Sequence, residues 1–201
     1  IVKGDRAILL VSGSGGATAV TRGVNGLIPA RTDSNTQNTL TLTEWHDLVR
    51  KTRFNIFASQ GDQRRLMQET TRKVLNRRID ADIITALDAA TNQLNGGVAT
   101  TMSLAIVQEA LTKLGNAEVP VEEEDKMWAV ATPAVRGQLS QITEWVSADY
   151  VEMKPLVGPA YRVKRCWGFN WIFHPNLTGV GTTAAKCYFY HQDAIGSVFD
   201  S

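Results

Sequence analysis

Four side chains with the chemistry of zinc ligands fall late in this 201-residue chain: Cys166, His174, Cys187 and His191. Thiolate sulfur and imidazole nitrogen are the usual ligands of tetrahedral zinc. Cys187 and His191 lie four apart and would project from one side of a strand, and Cys166 and His174 share parity too. A zinc-binding enzyme or a zinc-stabilised domain is therefore one reading. Its weakness is spacing, because compact zinc sites keep the members of each ligand pair close in sequence. The opposing reading is two thiols buried as small hydrophobes and two histidines with hydrogen-bonded rings.

Other chemistries are less well supplied. Ser12-Gly13-Ser14-Gly15-Gly16 invites a phosphate-loop reading, but no Lys-Ser or Lys-Thr follows those glycines at the spacing a Walker loop needs. The dinucleotide fingerprint requires a further glycine at position 18, which is Thr. A hydrolase needs a nucleophile beside a base. His46 neighbours Trp45, His174 neighbours Pro175, and no Gly-x-Ser-x-Gly occurs. No pair of carboxylates stands in an apolar setting that would separate acid and base roles. The expectation is a protein that is not an enzyme, with no catalytic residue, cofactor or metal.

The basic residues are more telling. Arg64, Arg65, Arg72, Lys73, Arg77 and Arg78 fall within 15 residues opposed only by Glu69, and Asp80, Asp82 and Asp88 follow. Three readings stand: a solvated face, a subunit interface in which arginine pairs with carboxylates, and a surface toward nucleic acid. A gradient from basic to acidic suits side-by-side subunits better than a uniform DNA-binding face. The acidic run Glu122-Glu123-Glu124-Asp125 reads as a solvated loop.

The elements carrying these residues differ in texture. Up to about residue 45 the chain is rich in Gly, Thr, Asn and Ser; Ile8 to Val11 reads as a strand, residues 12–16 as a turn and Leu40-Thr41-Leu42-Thr43 as alternating strand followed by Trp45. This predicts an extended hairpin, held out because it has too few apolar residues to cover two faces. From 60 to 91, Met67, Thr71, Leu75, Ile79, Ile83, Leu87 and Ala90 recur at helical spacing, with no Pro or Gly between Asp62 and Gly96. A helix of about 30 residues would be a rod of roughly 45 Å, long for so small a protein.

A second helix is expected from Ser103 to Leu114, capped by Thr101 or Ser103, stopped at Gly115 and supported by Glu109 and Lys113. Met127 to Ala131 reads as a buried strand, and Thr132-Pro133 as the start of a helix with Leu139 and Ile142 on its apolar side. Alternate positions from Tyr161 to Phe173 give one aromatic strand face, and Lys186 to Tyr190 a last strand before a helix near Asp193. Extended arm, long helix, then mixed helices and strands make the class α+β.

Composition bounds this picture. The chain is 43% hydrophobic and 20% charged, with 21 basic against 20 acidic side chains and a net charge of +1. That excludes disorder and argues against a dedicated DNA-binding module. No apolar run is long enough to span a membrane, and no signal-peptide pattern opens the chain. Two cysteines are too few for a disulfide framework. The start at Ile1 and the stop at Ser201 suggest sequence lost at one or both ends.

Short strings along the chain resemble the major capsid proteins of tailed bacteriophages, with the HK97-like fold. Gly26-Leu27-Ile28-Pro29-Ala30-Arg31 and Gln37-Asn38-Thr39-Leu40-Thr41-Leu42 look like that fold's extended loop, and Gln63 to Ala90, with Asn76-Arg77-Arg78-Ile79-Asp80, like its spine helix. Met127 to Pro133, Trp167 to Pro175 and Lys186 to His191 look like strands of its axial domain. The resemblance implies an extended-loop region over 1–58, a peripheral-domain spine helix over 59–98, and a mixed α/β axial domain over 99–201 whose return to the peripheral domain is missing. It implies an icosahedral shell of hexamers and pentamers around double-stranded DNA, assembled in the bacterial cytoplasm and resident in the virion. Partners implied are other copies of the chain, DNA held non-specifically, and scaffold, portal and decoration proteins, with no membrane. Candidate interface residues are Leu40, Leu42 and Trp45 on the loop and the six basic residues on the helix. Some relatives crosslink a loop lysine to a neighbour's asparagine; residues 5–50 here contain no Lys, so that chemistry is not carried over. A compartment shell of the same fold, enclosing a cargo enzyme, is the alternative.

Overall fold

The computed structural model describes residues 2–3, 6–13, 18–23, 25–28, 30, 34–59, 61–146 and 164–197. They fall into two units, Ile1–Leu48 with Ser197–Ser201, and Val49–Gly196. In the first, β1 (Val2–Lys3), β2 (Arg6–Gly13) and β3 (Ser34–Thr41) form an antiparallel sheet in that order. The expected hairpin is present, its register unbroken from Arg6 opposite Thr41 to Gly13 opposite Ser34. Ser12 and Gly13, read as turn, end β2, and β3 stops at Thr41; residues 14–16 of the expected turn lie outside the described residues. Ile8, Leu9, Leu10 and Val11 all stay exposed, whereas Ala7 is buried. A continuous apolar run points its side chains to both faces of a strand, and three strands alone can bury neither.

The second unit begins with α1 (Arg53–Ala58), where the Thr52 hydroxyl oxygen accepts from the Asn55 N–H at 3.2 Å. Next comes α2 (Gln63–Asp88), 26 residues long, started by the Asp62 carboxylate accepting from the N–H groups of Arg64 and Arg65. At 1.5 Å per residue it measures about 39 Å, shorter than expected because Asp62 and Ala89 close its ends. The apolar stripe does not hold one face. A step of four residues turns about 400°, so each step drifts by about 40°. Between Met67 and Leu87 the stripe therefore winds through about 200°, and Leu87 is buried, Ile83 half-buried, and Leu75 and Ile79 exposed.

Helix α3 (Leu104–Asn116) buries Val107 and Ala110. Ser103 holds its N-cap position without a side-chain bond, and Gly115 lies inside the helix instead of ending it. The left-handed residue is Glu118, φ 58°. Its N–H donates to Gly115 O at 3.0 Å and the Val119 N–H to Leu114 O at 3.1 Å, the paired bonds of a Schellman motif. Leu114 and Val119 both pack on the core, which offsets the roughly 1 kcal/mol cost of a left-handed non-glycine residue.

Four strands make the second sheet: β4 (Met127–Ala131), β5 (Lys164–Cys166), β6 (Phe169–Phe173) and β7 (Tyr188–His191), in the order β5-β6-β4-β7. The β4–β6 pair is parallel and the others antiparallel. With neighbours on both sides and four of its five residues buried, β4 needs an unbroken apolar run, and Met-Trp-Ala-Val-Ala supplies it. Between β4 and β5 come α4 (Pro133–Leu139) and α5 (Thr143–Val146). Thr132 precedes α4 as expected, yet its hydroxyl is buried without a partner and caps nothing.

The aromatic alternation is not one strand. Trp167, φ 54°, and Gly168, φ 75°, form a two-residue turn between β5 and β6. Two consecutive positive φ angles match the twist of the paired strands. The turn sets Cys166 opposite Phe169, which moves Cys166 onto the aromatic face and buries it; Tyr161 and Val163 lie outside the described residues. The last strand starts at Tyr188 instead of Lys186, and the expected helix near Asp193 is a single turn, Gln192–Ala194. Trp171 centres the core, edge-on to Trp145 at 5.2 Å and to Phe189 at 5.7 Å, with its indole N–H donating to Cys166 O at 3.0 Å. Helices packed on a largely antiparallel sheet make the protein α+β, as expected.

Candidate subunit interface

The sheet's strand directions dispose of the zinc reading. Cys166 opposes Phe169 at the start of β6, and His191 opposes Met127 at the start of β4. Because β6 runs parallel to β4, both residues lie at one end of the sheet, on its two outer strands. His174 lies at the other end, its N–H donating to Ala131 O at 3.0 Å, and Cys187 lies just before Tyr188, which opposes Val130. Four residues of strand separate the ends by about 13 Å, whereas zinc ligands lie within about 2.3 Å of the metal. No single ion spans the four. Among the described residues no group of three or more His, Cys, Asp or Glu could hold a metal. Burial pushes the Cys166 thiol up to about 12 and raises that of Cys187, the reverse of what a thiolate ligand requires.

The long helix, by contrast, offers a large unsatisfied surface. Arg64, Arg65, Arg72, Lys73, Arg77 and Arg78 are all exposed. Arg65 pairs with Glu69 at 3.6 Å and Arg78 with Asp82 at 2.7 Å, each one turn along the helix. At 100° per residue the six spread around the helix as a collar. Of 26 residues in α2, Leu87 alone is buried. Its apolar Leu66, Val74, Leu75 and Ile79 face outward beside the basic side chains. α1 buries nothing, and Phe54 and Phe57, one turn apart, are 73% and 89% exposed. On the other unit Leu40 and Trp45 are exposed and Leu42 half-buried.

What holds the rod is concentrated at its C-terminal end. The Asp88 carboxylate accepts from Lys186 Nζ at 2.8 Å, Tyr188 Oη at 2.7 Å and the Thr178 hydroxyl. Those bonds, Lys186 first, hold its carboxyl down at about 2. Burial pushes Tyr188 up to about 12, helped by the bond to Asp88. Asp80 approaches His174 Nε2 at 3.5 Å. The arginine-rich part of the rod lies beyond these anchors.

Sequence reasoning took Asp88 only as part of a charge gradient and missed its anchoring bonds, and it missed Asn170, Phe54 and Phe57. Asn170 is buried inside β6, and its amide donates to the carbonyls of Glu124, Asp125 and Met127 at 2.8, 3.1 and 3.0 Å. The acidic run is thus solvated, as expected, and its backbone is held by Asn170. It borders an open depression of about 480 Å³ lined by Glu122, Glu123, Glu124, Asp125, Lys126 and Arg165. The one signal for Asn170 was a polar residue at an even position in an apolar run; nothing marked the aromatic pair of α1 as outward-facing.

No helix among the described residues is long and apolar enough to cross a membrane. A family model described as phage capsid protein matches residues 2–199. No curated protein and no solved structure matches the chain.

Proposed function

Since the chain belongs to the phage capsid protein family, a family of structural proteins of the virion, we propose that it is the repeating subunit of an icosahedral shell, built on the HK97-like plan from hexamers and pentamers and enclosing double-stranded DNA. The observation that carries this is α2, about 39 Å long with a single buried residue. A helix gains most of its stability from packing an apolar face, so a rod left bare over most of its length calls for neighbours to cover it. Arg64, Arg65, Arg72, Lys73, Arg77 and Arg78 on the rod, and Leu40, Leu42 and Trp45 on the arm, are the proposed contact residues. The exposed cations also suit sequence-independent contact with DNA phosphates. Assembly in the bacterial cytoplasm, with scaffold, portal and decoration proteins as partners, follows from the same reading.

The test is to express the protein in bacteria, alone and with its scaffold, and to image what forms. Closed shells of uniform diameter are expected. A folded protein that stays monomeric in both settings overturns the proposal.

A further inference from the structure

The acidic run and the basic collar carry opposite charge. Between Arg64 and Arg78 six cations stand against Glu69 alone. Two of the six, Arg65 and Arg78, have carboxylate partners on the same helix. Lys73 and Arg77 lie one turn apart on one side of the rod, and Arg72 lies about 100° round the helix from Lys73. Glu122, Glu123 and Glu124 are exposed. Of their carboxylates, Glu123 is engaged, by Lys126 at 2.6 Å. No ion pair among the described residues joins the two regions.

The acidic turn is built for contact. Asn170 holds its backbone at the Glu124 and Asp125 carbonyls and ties it to β4 at Met127, so less ordering entropy remains to be lost on docking. Its carboxylates rim the open depression, a shape that admits a projecting side chain. Behind it stands His191, whose side chain is 7% exposed. Its Nδ1 accepts from the Asp193 N–H at 3.3 Å, which places the ring proton of the neutral form on Nε2. That Nε2 is buried without a hydrogen-bond partner, 3.9 Å from Glu123 Oε2.

We propose that the Glu122–Glu124 turn receives the Lys73 and Arg77 side of α2, flanked by Arg72, from a second copy of this chain. The inference rests on the shell-subunit reading and names the partner of its basic collar. Because the two patches are different surfaces, the contact is head-to-tail, and such contacts close into rings when the rotation between subunits allows.

Two triple variants test it: Arg72→Glu with Lys73→Glu and Arg77→Glu, and Glu122→Lys with Glu123→Lys and Glu124→Lys. Each should keep a folded subunit by circular dichroism while particle yield falls by about tenfold or more. Combining all six substitutions in one chain restores the complement with its sign reversed, and yield should return to within about twofold of the parent. A second measurement needs no variant. Carbodiimide treatment of parent particles grown from isotopically light and heavy subunits should link Lys73 to one of the three glutamates in mixed-isotope peptides. If parent particles form but both triples assemble normally, or the six-fold variant stays defective, or the mixed crosslink is absent, this docking is overturned and the shell reading stands. If the parent forms no particles at all, the shell reading falls first.

Discussion

Asn170 holds three backbone carbonyls with one amide, and this makes it the most exposed point of failure at the scale of single residues. Replacing it with Ala leaves those carbonyls short of a donor in a buried setting, at a cost of about 2 kcal/mol. Thermal unfolding of the unassembled subunit should shift down by about 6 °C. Asp88 gives a pH signature. Its carboxyl is held at about 2 against an ordinary value of 3.8, so its contribution to stability is complete above the ordinary value and fades as pH falls toward 2. Denaturant titrations between pH 5 and 2 should show that loss in the parent, and a flatter profile over the same window in Asp88→Asn. Cys166 illustrates the converse effect of burial. With its thiol pushed up to about 12, it should resist alkylation at pH 8 in the folded subunit and react on unfolding.

At the scale of elements, α2 and the β5–β6 hairpin obey different rules. Along α2 the drift of a four-residue stripe divides the apolar side chains by neighbour, not by type. Leu87→Ala should destabilise the unassembled subunit by about 2–3 kcal/mol. Leu75→Ala and Ile79→Ala should stay within about 0.5 kcal/mol and lower particle yield instead. Chemical denaturation and sedimentation, read side by side, separate the two classes. In the hairpin, Gly168 takes a positive φ at no steric cost, and a Cβ there meets only the Leu111 methyls at 3.5 and 3.8 Å. Gly168→Ala should therefore cost about 1 kcal/mol, from backbone strain alone, and leave the core aromatic contacts intact. The element types were largely legible: Asp62 before a long unbroken helical run, Glu109 four before Lys113 with the pair formed at 2.8 Å, and an apolar pentad for a central strand. The ends of elements were not. Glu118 takes the left-handed position that Gly115 was expected to fill, because docking Val119 on the core outweighs the local preference.

At the scale of the whole molecule, a net charge of +1 hides a basic rod and an acidic turn within one chain. If shell contacts use that pairing, assembly should weaken with salt, since screening shortens from about 10 Å at 0.1 M to about 3 Å at 1 M; light scattering across that range reads it directly. The sequence alone determined the main elements (the arm hairpin, the long helix, the Leu104–Asn116 helix and the central strand), the α+β class, the lack of catalytic motifs and the capsid resemblance, because each depends on near neighbours, spacing or composition. It could not determine which distant residues meet. Asp88 bonds partners 90 to 100 residues away, and Asn170 reaches back 45 and 46 residues to the acidic turn. Cys166 and His174 share parity, as do Cys187 and His191, yet strand order and direction send the members of each pair to opposite ends of the sheet. Parity encodes the face of a strand; only the tertiary arrangement decides which end, and which neighbour, each side chain meets.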